Sequence, residues 1–412
     1  MQSLTIQTLL SKSKIVLLLV FSFLLPFNLK VQPILVVVLL LHSLLQFRKQ
    51  DFHENVKRCL PFFLGFVLLF VWQFSSLLWT TDIVFGLNKV ERRLFYIVAP
   101  LLFFINKDIP YAKIIKLYIS GNLLLCLTGF FYLIYFFFTE KLYFINKTVE
   151  EGISQETWVY IIFHGRNNFI FLDIHRTYFS FGLLISILLL FLSKKVKFKV
   201  IFRYVSLAIM SLVIFLLQAK IPVIILVMLL LVIVGIELRK VPKKLKWIYA
   251  LGIGLVLIFG LKIANPRFAR LIKEATNISA KSEGSLVERI QYSKSALQLI
   301  YEAPFFGYGI GDVRSAMKKK IKELSYPEKI KRESYDPHNE FLKTLVGTGL
   351  LGFLILMTAF AMPLYLSYKN KNLILAIFLG MLALVCFVEP FISRQLGIFT
   401  ALFFLGILSE DS

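Results

Sequence analysis

The chain reads as an all-α polytopic membrane protein on three observations: its composition, the length of its apolar runs, and the side on which its basic residues fall. Of 412 residues, 58% are hydrophobic and 17% charged, against roughly 45–50% and about 25% in an ordinary soluble domain. Apolar runs approaching the roughly 20 residues that cross about 30 Å of hydrocarbon recur at 59–78, 114–138, 223–236 with its flanks, and 341–361. Inside lipid each backbone N–H and C=O must be satisfied within its own segment, so these runs form helices. The alternating segments of about ten residues that build a barrel are not seen.

Taken in order, the pattern predicts about twelve transmembrane helices: 14–28, 31–47, 59–79, 94–105, 113–138, 176–192, 200–217, 220–237, 247–264, 341–366, 372–388 and 391–408. Lys12 and Lys14 give the first run the look of a signal peptide. No small-residue cleavage site follows, and a second run begins at Val31, so the first is expected to be retained. With a cytoplasmic N-terminus, one set of loops carries Arg48, Lys49, Lys57 and Arg58, then Lys107 and Lys113, then Lys194–Lys199 with Arg203, then Arg239–Lys246, then Lys369 and Lys371. The short loops on the other side carry only Lys30, then Lys89, Arg92 and Arg93, then Lys220, then Arg394. That alternation is the positive-inside pattern, and it places both termini in the cytoplasm. A net charge of +23 suits a nucleic-acid partner only until its distribution is considered. The excess lies in short loops between apolar spans, so membrane lipids are the expected partners and nucleic acid is not.

Two outer loops are long, 139–175 and 265–340, within what reads as a single integral membrane domain over 1–412. Loops of that length usually carry function. The larger is partly helical: SLVERIQYSKSALQLIYEAP places Leu286, Ile290, Ser293/Ala296, Leu297 and Ile300 on one face, ending at Pro304. Cys59, Cys126 and Cys386 fall in or beside apolar spans, and the five histidines are scattered, so neither a disulfide framework nor a metal site is expected.

The sharpest local signal is DPHNEFLKTLVGTGLLG, from Asp336 to Gly352. Asp-Pro breaks regular structure, and His338-Asn339 then opens a long apolar helix. An imidazole there stands at a helix N-terminus, which disfavours its protonated form and leaves the neutral ring that a general base requires. Gly347, Gly349 and Gly352 leave a groove for close helix packing. The same pair could instead serve only to cap the helix and touch headgroups.

His338-Asn339 followed by Gly349-x-x-Gly352 resembles the histidine motif of the O-antigen ligase/polymerase superfamily of membrane glycosyltransferases. Arg289 in ERIQYSKSAL, followed by EAPFFGYGIG, is similar to that family's Arg-containing helix and its Pro…Gly-x-Gly-x-Gly turn. The resemblance is strongest over roughly 285–355 and extends more weakly to the layout, with the long periplasmic loop between the ninth and tenth helices.

What the resemblance implies is a metal-independent, inverting transferase of GT-C-like fold that uses no cofactor. It would move a glycan from undecaprenyl diphosphate to an acceptor hydroxyl, such as lipid A–core, at the periplasmic face of the bacterial inner membrane. His338 is then the candidate base. Arg289 is the candidate diphosphate cation, because a leaving diphosphate gains charge that a preorganised guanidinium stabilises. Lys220, in LLQAKIPVIIL, stands where the family often has Arg; it offers a point charge without the bidentate fork, and snorkelling to the interface explains it equally well. Arg176, in HRTYFSFGLL, and the adjacent His175 are secondary candidates for phosphate or glycan contacts. Asn339, Asp336, Gly349 and Gly352 are supporting residues, with Asp336 a possible carboxylate partner of His338. Arg92 and Arg93 read as interface anchors, FGYGIG as a turn, and Glu389 as an anchor or a partner of Arg394.

Two other functions compete. A polymerase shares the donor chemistry and differs in its acceptor. A transporter of lipid-linked glycan would place ionisable residues at mid-membrane depth or repeat its two halves, and neither is visible.

Overall fold

The computed structural model describes residues 2–27, 30–106, 109–150, 174–217, 219–240, 285–324 and 335–410. Among the described residues there are helices and no strand: α1 (Gln2–Leu24), α2 (Gln32–Leu44), α3 (Lys49–Ser75), α4 (Ile83–Glu91), α5 (Phe95–Ile105), α6 (Tyr111–Glu150), α7 (Arg176–Leu192), α8 (Val200–Leu217), α9 (Lys220–Lys240), α10 (Ser285–Glu302), α11 (Val313–Glu323), α12 (Glu340–Lys369), α13 (Leu373–Cys386) and α14 (Gln395–Ser409). Among the described residues six stretches, Leu10–Phe27, Lys49–Leu78, Tyr111–Phe131, Val200–Leu217, Lys220–Glu237 and Glu340–Lys369, are long and apolar enough to cross a membrane. Helices α2, α7, α13 and α14 are apolar but shorter. The span expected at 247–264 lies outside the described residues, as do 151–173, 265–284 and 325–334 of the two long loops.

Two helices outrun their apolar stretches. Helix α3 starts at Lys49 rather than near 59, and buried Asn55 in its polar first turns donates to the Phe104 carbonyl at 3.0 Å. Helix α6 continues to Glu150, into the loop expected from 139, with no proline to stop it. Helix α4 has no counterpart in the expected spans; Asp82 caps it, its Oδ1 accepting from Phe85 N at 3.0 Å.

The chain divides into two compact units, one of residues 1–14, 38–109 and 270–412, the other of 15–37 and 110–269. In the first, α3 packs along α12 so closely that a Cβ on Gly65 would lie 2.3 Å from the Ala359 Cα. Helices α5 and α14 close the other side, with Phe63 stacked on Phe103 at 5.6 Å. One end of this bundle is tied by the Arg58–Glu410 pair at 2.6 Å and by Asn372 donating to the Leu408 carbonyl at 2.8 Å. Two of the basic loops, with Arg48–Arg58 and Lys369–Lys371, lie at that end. The opposite end is tied by Tyr96 OH to the Ile392 carbonyl at 2.6 Å, Arg93 to Ser393 Oγ at 2.7 Å, and Ser393 Oγ to Glu340 Oε1 at 2.6 Å. Helix α12 begins there, so the histidine motif and these two basic loops occupy opposite ends of the first unit.

In the second unit α7 is buried along almost its whole length. Gly182 on α7 faces Asn122 and Tyr118 on α6, and Arg203 of α8 pairs with Glu237 of α9 at 3.1 Å.

Candidate functional site

The site is built around a break in α12. Gly349 has φ 67° and ψ −167°, which interrupts the helix expected to run unbroken from 341 to 366. A break frees backbone groups that must find other partners, and the glycine-rich turn after α10 supplies them. Tyr308 N donates to the Val346 carbonyl at 2.9 Å and Gly309 N to the Gly347 carbonyl at 2.8 Å, while Leu350 N donates to the Pro304 carbonyl at 2.8 Å. Trp72 Nε1 takes the Thr348 carbonyl at 3.0 Å. Further along the turn, Ile310 N donates to Ser76 Oγ at 3.2 Å, and the Asp312 carboxylate accepts from Thr81 N at 2.6 Å and Asp82 N at 3.0 Å. The amides of Tyr308, Gly309 and Ile310 thus serve the fold and do not line a phosphate cradle.

Asn339 is the N-cap of α12, its Oδ1 accepting from Phe341 N at 2.8 Å and Leu342 N at 3.0 Å. His338 stands one residue before the cap, with φ 51°. The left-handed turn carries its ring off the helix axis and against buried Tyr292, at 5.6 Å between centroids. Asp336 holds the backbone of this turn rather than the ring: Oδ1 accepts from His338 N at 3.1 Å and Oδ2 from Lys343 Nζ at 2.6 Å. Burial would raise the Asp336 pKa, but the Lys343 ammonium and the His338 side outweigh it and hold it below the ordinary carboxylate value. A depressed carboxylate stabilises the fold above its unfolded pKa, and that stability is lost as pH falls through the lower folded value. Thermal stability should therefore drop on acidification below about pH 4, and Asp336→Asn, compared with wild type in detergent melts, should flatten that drop.

Helix α10 carries Arg289. Its buried face is Val287, Tyr292, Ala296 and Leu299, packed with Val313, Met317 and Ile321 of α11 against Val346 of α12. This corrects the expected stripe, since Leu297 is 56% exposed. Polar Gln291 and Ser295 are buried in its place. The rotation brings Arg289 to the short segment between α13 and α14, where its Nη2 donates to Glu389 Oε1 at 3.3 Å. The other oxygen, Oε2, lies 3.9 Å from His338 Nδ1. One carboxylate, with its side chain 9% exposed, thus faces both Arg289 and His338. Glu389 was read from sequence as an anchor or a partner of Arg394; its partners lie on α10 and before α12. No local motif marked it, because the spacing that matters is 100 residues in one direction.

Arg176 and Lys220 belong to the second unit. Arg176 is the exposed first residue of α7, just after its cap His175, whose Nδ1 accepts from Thr177 N at 3.4 Å. Lys220 opens α9, half-buried. Gly352 packs against Trp72, where an added Cβ would lie 3.0 Å from the indole Cδ1, so it does serve close packing, whereas Gly349 serves the break. Among the described residues no three His, Cys, Asp or Glu side chains gather as metal ligands would.

Residues 205–357 match the family described as O-antigen ligase. The matched stretch holds Lys220, Arg289, the glycine turn, His338 and the break at Gly349, ends within α12, and stops short of Glu389. No curated protein matches the chain.

Proposed function

We propose that this integral membrane protein, of the O-antigen ligase/polymerase family, transfers a glycan from undecaprenyl diphosphate to an acceptor hydroxyl at the periplasmic face. Ligation to lipid A–core or a similar acceptor is the reading adopted. The observation that carries it is the Arg289–Glu389–His338 constellation, drawn from three separate segments to the end of the first unit away from its Arg48–Arg58 and Lys369–Lys371 loops.

In this reading the donor diphosphate approaches Arg289, whose side chain is 41% exposed and is paired, among the described residues, with one carboxylate. A diphosphate carries more charge than Glu389 and offers the geometry a guanidinium grips in two places. As Arg289 turns to it, Glu389 is left facing His338. The present 3.9 Å separation exceeds a hydrogen bond, and such contacts tighten when substrate is bound. A carboxylate at Nδ1 fixes the tautomer that leaves Nε2 to accept a proton. His338 takes the acceptor hydroxyl proton as that oxygen bonds to the anomeric carbon. The bond from that carbon to the diphosphate oxygen breaks on the opposite face, its electron pair leaves with the diphosphate, and configuration inverts. Lys220 and Arg176, in the second unit, keep their proposed role as phosphate contacts on sequence grounds alone.

The test is complementation of a bacterium lacking its O-antigen ligase, at matched membrane expression. Wild type should restore glycan on lipid A–core, and Arg289→Ala should reduce it by about 10²-fold, the scale for removing one preorganised charge-stabilising group. Arg289→Lys should recover part of the loss. Full activity in Arg289→Ala sinks the diphosphate assignment. Lengthened lipid-linked chains in a polymerase-deficient strain, without attachment, would replace ligation by polymerisation.

A further inference from the structure

At the same end of the first unit lies a cavity of about 410 Å³ to which Arg289 does not contribute. Its wall holds five cations: Lys89 of α4, Arg92 and Arg93 between α4 and α5, Arg314 of α11 and Lys343 of α12. Among the described residues of the wall one is a carboxylate, Asp336, and it is already paired with Lys343 at 2.6 Å. Among the described residues no carboxylate pairs with Lys89, Arg92, Arg93 or Arg314. Interface anchoring, the sequence reading of Arg92 and Arg93, explains exposed Arg92 but not Arg93, which is 4% exposed. Its Nη2 donates to Ser393, while its Nε has no hydrogen-bond partner. Gln73, 3% exposed in the same wall, has an orphaned Oε1. Buried groups left without partners are costly, and a site that retains them is shaped for something that completes them. Burial and the neighbouring Lys343, Arg93 and Arg92 lower the Lys89 pKa to about 8 against the opposing pull of Asp336, and Glu340 reaches Arg93 only through Ser393.

We propose that this cavity is a binding subsite for a phosphorylated saccharide of the acceptor. Clustered cations with orphaned N–H call for an oxyanion carrying more than one charge. An orphaned amide oxygen beside them calls for a hydroxyl donor. A sugar phosphate supplies both, and inorganic phosphate or a bare diphosphate supplies less. The volume suits a small saccharide. Lys343 and Asp336 join the cavity to the active segment, since the carboxylate that pairs with Lys343 also holds the His338 backbone. The acceptor identity rests on the transfer reading above; the existence of the anion subsite does not.

The test is calorimetric titration of the purified full-length protein with glucose 6-phosphate, with glucose as the uncharged control and farnesyl diphosphate as a soluble lipid diphosphate. Glucose 6-phosphate should bind and glucose should not. The double variant Lys89→Gln/Arg314→Gln should weaken that binding by about tenfold or more, the scale of lost charge-assisted contacts. Arg289→Gln should leave it unchanged and weaken farnesyl diphosphate instead. The single variant Arg92→Gln, at an exposed position, should weaken glucose 6-phosphate in the same direction if the double variant folds poorly. No binding by wild type, or binding indifferent to every cavity substitution, overturns the subsite. Loss of farnesyl diphosphate binding in the cavity variants, with glucose 6-phosphate unaffected, overturns the acceptor assignment in favour of the donor diphosphate. No turnover is needed, so a failed transfer assay and a failed titration remain separate results.

Discussion

His338→Ala is expected to lower glycan transfer by about 10²–10⁴-fold, the contribution of a positioned general base, while the folded protein accumulates normally. The segment that holds the residue does not depend on its ring. Asn339 makes the cap, Asp336 and Lys343 pin the turn, and the buried glutamate and serine beside it belong to a separate chain of hydrogen bonds. What the substitution removes is a ring resting on Tyr292 and facing Glu389. Because His338 has φ 51°, His338→Gly is the companion variant: glycine accepts that backbone without strain, so both variants should be equally inactive. Transfer is measured in membranes with matched protein, with and without added imidazole, and partial rescue of the glycine variant would mark a lost base. Undiminished transfer by both variants would take His338 out of the chemistry.

The largest expected effect on stability is Gly349→Ala. An added Cβ would stand 2.1 Å from the Phe305 carbonyl oxygen, in a backbone conformation with φ 67° and ψ −167°. That region is essentially closed to residues with a side chain and costs of order 1–3 kcal/mol by itself. The clash adds an overpacking cost of about 1–3 kcal/mol, and relieving it means pulling the turn off the broken helix. Together they are a large part of an ordinary domain's stability. The variant is expected to melt far earlier in detergent, or to fail to accumulate. Gly380→Ala, where an added Cβ meets nothing within 4 Å, is the control and should be neutral or mildly stabilising. Equal melting of the two would mean that the break does not carry the load assigned to it.

The helical membrane character and several span edges were legible in the sequence because lipid imposes them. Helices α7 and α8 begin and end where hydropathy and flanking basic residues put them. Helices α3 and α6 run further, because hydropathy marks where lipid stops and says nothing about where backbone hydrogen bonding stops. The twist of α10 was misread because Ile290 and Leu297 looked like core, whereas Gln291 and Ser295 took buried places among tertiary neighbours. His338, Asn339 and Arg289 were nominated through a motif, and the structure gathers His338 and Arg289 about Glu389. Gly349 was noticed for close packing, which the approach of the Phe305 carbonyl bears out, but its left-handed break of the helix was not foreseen, because a small residue in an apolar helix suits both. Glu389 and the cationic cavity escaped because each is made by residues far apart in the chain, and no local pattern records such a meeting.

The seam between the glycine turn and the broken helix also fixes chain length. Arg289 rides on α10, whose end is tied through Pro304, Tyr308 and Gly309 to set positions on α12, the helix that His338 precedes. Adding or removing one residue between Glu302 and Gly307 would turn α10 by about 100° relative to those ties and swing Arg289 away from Glu389. The segment works as a ruler: substitutions along its exposed edge can accumulate, but insertions and deletions should be selected against.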